Sequence, residues 1–318
     1  MSKRRKRHRV TGPPPANQPP QIVSSRQQVT LLELDRFSEA QLRIWERASS
    51  DIEQLNIELH YGLEKQRHEK KSQLLDALRA NRAPALTLTN WCRIVSYQYS
   101  LTLLSCAGST KGYGGRFNVG SDLSDAGFKP WPALYVAENF ETAFREKFGL
   151  NQNDHDSGLN PEELSLNTQD GWSVGICEAQ IGSVFDLGNR ASLDAVVKIF
   201  ARFKMPKAAA EIARRLKVRN LALVRTVEKL CEVVLDRNWR ILPSQFELPS
   251  HSQILGQLIL EAGFEAVAYP SSRNGGRCVA VFPTNFGNSD SYVTLTGNVP
   301  AEATITRLDR NTIAECLR

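Results

Sequence analysis

The chain has 318 residues, enough to bury a sizeable core and to hold one domain of catalytic size with an additional module. Its net charge of +6 is accounted for by six Lys and Arg residues among the first nine, so the rest of the chain is close to neutral and lacks the basic footprint of a nucleic-acid-binding domain. No apolar run is long enough to span a bilayer, and the basic start is not followed by the apolar stretch of a signal peptide. We therefore expect a cytoplasmic protein without membrane contact.

The cysteines and histidines form no metal-binding pattern. Six cysteines are spread along the chain without a C-x-x-C pair, and the five histidines include no H-E-x-x-H motif. Several of the cysteines stand in apolar surroundings that are typical of strands or helices. We therefore expect reduced, partly buried thiols and no metal site.

Residues 1–30 combine the basic run with five prolines and several Gln and Ser residues. Such a composition cannot form a packed core and predicts a disordered tail. The run Lys3–Arg7 suits a nucleic-acid contact or an address tag, and a solubilising tail explains it equally well. Any contact with nucleic acid is expected through this tail alone.

Residues 31–95 are expected to form a helical N-terminal module. Ser38 and Gln41 have the spacing of a capping box, and leucines recur every three or four residues as far as about Ala83. The apolar stripe is interrupted between Glu64 and Gln73. We therefore predict a helical hairpin that packs on the main domain; binding of a partner by the same stripe is the alternative.

Residues 96–287 are expected to form the catalytic domain, and residues 288–318 a C-terminal extension. A polar surface loop is expected at residues 151–170, and Gly263 stands where helices often end in a left-handed conformation. The patterns predict strands and helices in the following order: a strand at Leu134–Ala137, a helix after Asn139, two strands within Trp172–Leu187, helices at Leu193–Phe203, Lys207–Lys217, Val224–Asn238 and His251–Ala262, and strands at Phe264–Tyr269 and Arg277–Phe282.

The segment Gly112–Glu146 contains the residue types of a candidate site. Glycines allow the backbone to approach a ligand closely, and Arg116 directly after them has a planar fork suited to a phosphate or a carboxylate. A short apolar strand supplies Tyr135, and the helix after it supplies glutamates. Later in the chain, a bend between two apolar strands presents the hydroxyl of Ser271 or Ser272.

Familiar catalytic templates are missing from this set. Gly112-x-Gly114 lacks the third glycine of the dinucleotide fingerprint, and there is no P-loop lysine and no G-x-S-x-G elbow. An arginine, an aromatic ring and a carboxylate instead suit a phosphate-bearing substrate with a built-in leaving group. They would hold the phosphates, pack against a planar base and stabilise a developing oxocarbenium ion.

The position of Glu146 leaves two interpretations open. If Asn139 caps its helix, the buried face is formed by Phe140, Phe144 and Phe148. Glu146 then lies on the opposite face, where it is either solvated or directed into a pocket. The arginine and the tyrosine also have plain alternatives, a salt bridge for the first and a core position for the second.

Three blocks of the sequence follow one another in a recognisable order. The first is Gly114–Asn118 (Gly-Gly-Arg-Phe-Asn), and the second is Leu134–Ala137 followed by Glu141–Glu146, in which a tyrosine and a glutamate are eleven residues apart. The third runs from Ala262 to Ser271 and continues in the strand Cys278–Phe282. Together these blocks resemble the RES domain, a family named for an arginine, a glutamate and a serine.

The resemblance covers about residues 96–285 and implies an α+β fold with a mixed-sheet core similar to that of ADP-ribosyltransferases. RES proteins are toxins of bacterial toxin–antitoxin pairs and consume NAD. They cleave the nicotinamide–ribose bond with water or phosphate as the acceptor, or they pass ADP-ribose to a protein. Their typical partner is an antitoxin with an Xre-like helix-turn-helix domain. The resemblance thus implies NAD as the substrate, inorganic phosphate as a candidate co-substrate and such an antitoxin as the partner; a homo-oligomer is a further option.

By position, the resemblance implies four catalytic residues. Arg116 would bind the pyrophosphate or the ribose edge, and Tyr135 would position the nicotinamide end. Glu146 would bind the ribose hydroxyls and stabilise the oxocarbenium ion. Ser271 would complete the pocket by hydrogen bonding, with Ser272 as the competing choice.

Phe117 and Asn118 are expected to contact the substrate. The long link after Asn118 and the helices inserted between the second and third blocks depart from the family pattern, which leaves the pocket rim and the acceptor open. Two alternatives to NAD cleavage remain at this point. One is ADP-ribosyl transfer to a protein or nucleic acid, and the other is an inactive RES-like binding module.

Overall fold

The computed structural model describes residues 39–124, 127–152, 171–218, 221–287 and 289–317. The expected tail of residues 1–30, the expected N-cap Ser38 and most of the expected loop at residues 151–170 lie outside these ranges.

The chain divides into two compact units. The smaller unit contains the described residues up to Leu59 together with Pro206–Leu221, and the larger one contains His60–Met205 and the chain from Ala222 onwards. In the smaller unit, Arg215 and Asp51 form an ion pair with 2.7 Å between Nε and Oδ2. The candidate site lies in the larger unit.

The helices of the described ranges are α1 (Glu39–Glu69), α2 (Lys71–Arg79), α3 (Phe140–Phe148), α4 (Asp194–Phe200), α5 (Lys207–Arg215), α6 (Val227–Val234), α7 (Ile241–Phe246), α8 (His251–Glu261) and α9 (Ile313–Cys316). Within these ranges, no helix combines the length and the apolar character that a membrane crossing requires.

The strands of the described ranges are β1 (Leu86–Ser96), β2 (Gly114–Gly115), β3 (Asn118–Val119), β4 (Leu134–Ala137), β5 (Trp172–Ile181), β6 (Val184–Asp186), β7 (Ala266–Pro270), β8 (Arg277–Val281), β9 (Tyr292–Thr296) and β10 (Arg307–Leu308). All except β2 and β3 form one sheet, in the order β10-β9-β5-β1-β4-β8-β7-β6. β6 and β7 are parallel, whereas the other neighbours are antiparallel. The expected α+β fold with a mixed sheet is confirmed.

Both faces of the sheet are buried, as strand β8 illustrates. Its residues Cys278 and Ala280 belong to a core that includes residues of α2, α3, α4, α6 and α8. The alternate residues Val279 and Val281 belong to a second core on the opposite face. Because successive side chains of a strand point to opposite faces, an apolar run such as Arg277–Phe282 is what burial on both sides requires. The candidate site lies on the face of Cys278.

The predicted hairpin between residues 31 and 83 is wrong. Lys70 separates α1 from α2, but its N donates to Gln66 O at 3.1 Å and its O accepts from Leu74 N at 3.0 Å. These bonds retain the helical spacing of four residues, whereas a reversal of two helices needs a loop of about 2–5 residues. The interrupted apolar stripe therefore marks a break in the helical path.

The end of the expected helical module belongs to the sheet. Residues Leu86–Ser96 form β1, which pairs with β5 and β4. The extension expected after residue 287 likewise contributes β9 and β10 to the sheet. Both segments join the sheet by pairing with strands far away in sequence, and the local residue pattern does not indicate such pairing. The expected left-handed end of α8 is confirmed, with a φ of +86° at Gly263.

His60 is a buried histidine with an unsatisfied ring nitrogen. Its side chain is 8 % exposed and its ring lies 5.6 Å from the Phe128 ring. Within the described residues, His60 Nε2 has no hydrogen-bond partner. Burial, followed by the charge of Arg67, lowers the pKa of His60 to about 4.

Because the unfolded chain protonates His60 near its ordinary pKa of about 6.5 while the folded chain resists it, His60 should weaken stability as the pH falls from 6.5 to 4. The loss is at most roughly 3.5 kcal/mol, at about 1.4 kcal/mol per pKa unit. Urea unfolding at several pH values should show a smaller loss in His60→Phe than in the wild type. Equal losses in the two proteins would contradict this assignment, since carboxylate protonation is common to both.

Candidate functional site

Arg116 stands at the tip of a short hairpin. In the pairing of β2 with β3, Gly115 lies opposite Asn118, which leaves Arg116 and Phe117 as the two turn residues. Gly114 has a φ of +86°, in the left-handed region that glycine tolerates. The glycine at this position therefore permits the conformation of the strand that leads into the arginine turn.

Tyr135 of β4 holds this hairpin through hydrogen bonds. Its Oη donates to Asn118 Oδ1 at 2.8 Å and accepts from Phe117 N at 3.0 Å. A Cβ on Gly115 would lie 2.5 Å from the same Oη, so a side chain at this position would push the tyrosine away. Burial raises the pKa of the Tyr135 hydroxyl well above its ordinary value, so the hydroxyl stays protonated and able to donate.

Phe117 and Asn118 support the hairpin from inside the protein. Both side chains are 0 % exposed. Asn118 Nδ2 donates to the carbonyl oxygens of Ser109 at 2.7 Å and Trp131 at 3.0 Å, and the Phe117 ring packs 4.7 Å from the Tyr269 ring. The polar atoms of the Asn118 side chain are thus bonded within the protein and Phe117 is enclosed, while the expected substrate contacts of these two residues stay a prediction.

Gln253 of α8 holds the backbone of the same hairpin. Its Nε2 donates towards the carbonyl oxygens of Tyr113 at 2.7 Å, Asn118 at 3.0 Å and Gly115 at 3.1 Å. Its Oε1 accepts from Ser250 N at 2.9 Å, which completes a capping box at the start of α8. Sequence reasoning missed Gln253, although the spacing of Ser250 and Gln253 is that of a capping box and was the available signal.

The Arg116 guanidinium is held by neutral groups. Nη1 donates to Asp236 O at 2.9 Å, and Nη2 donates to Ser272 Oγ at 2.8 Å. Its central carbon lies 5.8 Å from the centre of the Trp239 ring. Among the described residues, no carboxylate pairs with it within 4.0 Å. Within the described part of the chain, the arginine therefore forms no salt bridge, and no acid there neutralises its positive charge.

Glu146 faces the site from α3. Asn139 caps this helix, with its Oδ1 accepting from Thr142 N at 2.8 Å, and Phe144 is fully buried between the rings of Phe140 and Phe148. On the opposite face, Glu146 is half-buried and lines a cavity. The interpretation in which this glutamate simply faces solvent is thereby excluded.

The two serines of the bend contact different partners. Ser271 Oγ donates to Glu146 Oε1 at 2.6 Å and accepts from Arg273 N at 3.1 Å, whereas Ser272 Oγ accepts from Arg116. Ser271 is therefore the serine that orients the carboxylate, and Ser272 is the serine that orients the arginine. Both serines therefore contact a candidate site residue, Ser271 the glutamate and Ser272 the arginine.

Part of this arrangement opens onto one cavity of about 310 Å³, whose lining residues do not include Ser271 or Ser272. Arg116, Tyr135 and Glu146 line it, and Cys92 and Cys278 form part of its floor. The floor is continuous because Cys92 lies opposite Ala137, and Ala137 lies opposite Cys278, across three neighbouring strands. Burial raises the pKa of both cysteine thiols, Cys92 and Cys278, so they are protonated and unreactive at neutral pH.

Sequence reasoning missed four residues that line this cavity: Arg93, Trp239, Arg240 and Tyr269. Tyr269 directly precedes the Pro-Ser-Ser bend, and this position was the available signal. Trp239 and Arg240 follow α6 in the inserted helical region, where the helix predicted to reach Asn238 ends at Val234. Nothing in the local pattern distinguishes them from surface residues.

Comparison with known proteins identifies the family. The sequence model of the RES domain matches residues 91–299, which is most of the chain and includes all three motif blocks. The chain belongs to the RES domain family. No curated protein sequence matches it.

Among solved structures, a crystal structure of the M. tuberculosis MbcT–MbcA toxin–antitoxin complex is similar at 14% sequence identity. The match covers 77% of this chain and 97% of the other, with a TM-score of 0.41. Residues 91–299, which the RES sequence model matches, contain both the arginine hairpin and the glutamate helix, while α1 and α2 lie outside this range.

The three carbonyl contacts make Gln253 a test of how the hairpin is held. Gln253→Glu keeps the size of the side chain but replaces the donor with an acceptor that faces three carbonyl oxygens. We expect it to lower the free energy of unfolding by about 2 kcal/mol or more, measured by urea unfolding. Gln257→Glu on the same helix is the matched control, because the Gln257 side chain is partly exposed and, among the described residues, its hydrogen bond is to Glu261. A similar small loss in both variants would refute the role of Gln253.

Proposed function

We propose that this RES protein is a toxin that degrades NAD by cleaving the nicotinamide–ribose bond, and that an antitoxin neutralises it. The observation that carries the proposal is that Glu146, bonded to Ser271, lines the same cavity as Arg116, which has no acidic partner among the described residues. A carboxylate and a free guanidinium are the two charges that an N-glycoside with a diphosphate requires.

The chemistry assigns a task to each group. When the bond between C1 of the ribose and the nicotinamide nitrogen breaks, its electron pair leaves with the nicotinamide, which becomes neutral. Positive charge develops on the ribose, and the Glu146 carboxylate stabilises it. Ser271 orients that carboxylate, and Arg116 holds the diphosphate. The acceptor, water or phosphate, then bonds to C1 and loses a proton.

Tyr135 takes a different role in this proposal from the one that the family resemblance implies. Its hydroxyl is occupied by Asn118 and Phe117, so it positions the hairpin that carries Arg116. The nicotinamide ring can still pack against the tyrosine ring, which lines the cavity. We therefore regard Tyr135 as a positioning residue.

The antitoxin proposal rests on family membership. In RES toxin–antitoxin pairs the antitoxin carries an Xre-like helix-turn-helix domain and closes the pocket, and the same is proposed for this chain. A small helix-turn-helix protein encoded beside this gene would supply the partner. Co-expression of that protein should relieve growth arrest caused by the wild-type chain.

Release of nicotinamide from NAD by the purified protein tests the activity. We expect release by the wild type and a loss of roughly 100-fold or more in Glu146→Gln, the size typical of removing an electrostatic stabiliser of a transition state. Glu302→Gln, a change at an exposed glutamate that does not line the cavity, should release nicotinamide at the wild-type rate.

The products identify the acceptor. Free ADP-ribose indicates water, a phosphorylated ADP-ribose formed only with added phosphate indicates phosphate, and labelled macromolecules indicate ADP-ribosyl transfer. If the wild type releases no nicotinamide with or without phosphate, the proposed cleavage is refuted and the inactive binding module is favoured.

A further inference from the structure

The last residue of α6 and the segment that connects it to α7, together residues 234–240, lie against the candidate site. It belongs to the inserted helical region that departs from the family pattern. At the end of α6, Asp236 O and Val234 O accept from Arg116 Nη1 at 2.9 and 3.5 Å. Val234 is the last residue of α6, and a carbonyl group at a helix end lacks a partner within the helix and carries partial negative charge, so it suits a guanidinium without neutralising it.

The same segment also holds the bend between β7 and β8. Arg237 Nε donates to Ser272 O at 2.8 Å. Because Ser272 Oγ accepts from Arg116, the segment fixes both members of one hydrogen-bonded pair. The inserted region thus contacts the residues of the site directly, through Arg116 and Ser272.

Trp239 and Arg240 add an aromatic ring and a second cation to the cavity wall. Trp239 is buried, and the guanidinium carbons of Arg116 and Arg240 lie 5.8 and 4.8 Å from the centre of its ring. The two guanidinium carbons are therefore no farther apart than about 11 Å, the sum of these distances. Both arginines line the cavity.

Arg240 is exposed, and among the described residues its guanidinium makes no hydrogen bond and no ion pair; its contact is the Trp239 ring. An arginine that carries an unused planar fork into a cavity is well suited to an anionic ligand.

The charges around the bend also favour an anion. Arg273, beside Ser272, has a pKa that is lowered first by burial and then by the positive charges of Arg240, Arg116 and Arg237, while Glu146 opposes the shift. Four guanidinium groups that repel one another thus surround this rim, and an anion bound there would relieve the repulsion.

We infer that residues 234–240 form part of the substrate site and that Arg240 and Arg116 together clamp a diphosphate, one guanidinium for each phosphoryl group. The Trp239 ring contacts both guanidinium groups and holds them in place. The diphosphate binds between these two groups. This inference rests on the proposed function, because the diphosphate is that of NAD.

Calorimetry with ADP and with AMP tests the clamp without the cleavage reaction. We expect the wild type to bind ADP, Arg240→Gln to bind ADP about tenfold more weakly, and AMP binding to change little, since Arg116 alone can hold one phosphoryl group. Arg240→Lys should retain part of the ADP affinity because it keeps the charge but loses the fork. With NAD, KM should rise about tenfold in Arg240→Gln while kcat stays within twofold, the pattern of lost ground-state binding.

Two further variants serve as a negative control and as a replacement for Arg240→Gln. Arg202→Gln removes an exposed arginine that does not line the cavity and should leave ADP binding unchanged. Arg240→Met still covers the Trp239 ring and supplies the same test, with the same expected loss, if Arg240→Gln folds poorly.

The outcomes separate the clamp from the proposed activity. Unchanged ADP affinity in Arg240→Gln would overturn the clamp and leave NAD cleavage standing. So would a variant that loses only the phosphate-dependent part of the rate, since Arg240 would then serve the acceptor. Nicotinamide release by a wild type that does not bind ADP would also overturn the clamp alone. A wild type that neither binds ADP nor releases nicotinamide would overturn both.

Discussion

The arrangement of the site depends on an arginine held by neutral groups. Arg116 is buried, and its guanidinium donates to a backbone carbonyl and a serine hydroxyl while a tryptophan ring lies close by. Burying a charge is costly unless hydrogen bonds compensate for it. A carboxylate would supply that compensation and would also cancel the charge, whereas carbonyl and hydroxyl oxygens supply it and leave the charge available. The hairpin, the bend and the segment 234–240 all meet at this guanidinium.

Strand order brings the second charge of the site to the first. β4 pairs with β8, and the bend with the serines lies between β7 and β8. Because α3 directly follows β4, its Glu146 reaches Ser271 at 2.6 Å although the two residues are 125 positions apart. The sheet therefore fixes the carboxylate and the arginine at opposite ends of one serine pair, with Ser271 bonded to the first and Ser272 to the second.

Local chemistry made part of this predictable. The Asn139 cap, the phenylalanine face of α3 with Phe144 buried, the end of α8 at Gly263 and the apolar strand β8 all follow from short-range rules, and the structure contains each of them. The three motif blocks gave the family because their order and spacing are specific. The roles of Asn118 and Gln253 were hidden, since both act on the backbone of residues far away in sequence.

The inserted region shows the same limit. Helices α4, α5 and α6 were predictable from apolar periodicity, whereas α7 and the early end of α6 at Val234 were not. That early end leaves the carbonyl oxygens of Val234 and Asp236 in place to accept from Arg116. The hairpin predicted at Glu64–Gln73 failed because an interrupted stripe indicates a break without giving its direction. Local patterns thus located the candidate catalytic groups, while the way they are held required the tertiary structure.

A crystal structure of the Glu146→Gln variant with NAD would test directly whether Arg116 holds the diphosphate of the substrate. It should show the NAD diphosphate within hydrogen-bond distance of the Arg116 guanidinium, and the ribose that carries nicotinamide beside residue 146. NAD bound away from this cavity, or with its diphosphate turned away from Arg116, would contradict the central claim that this arginine is kept free of acids to hold an anionic substrate.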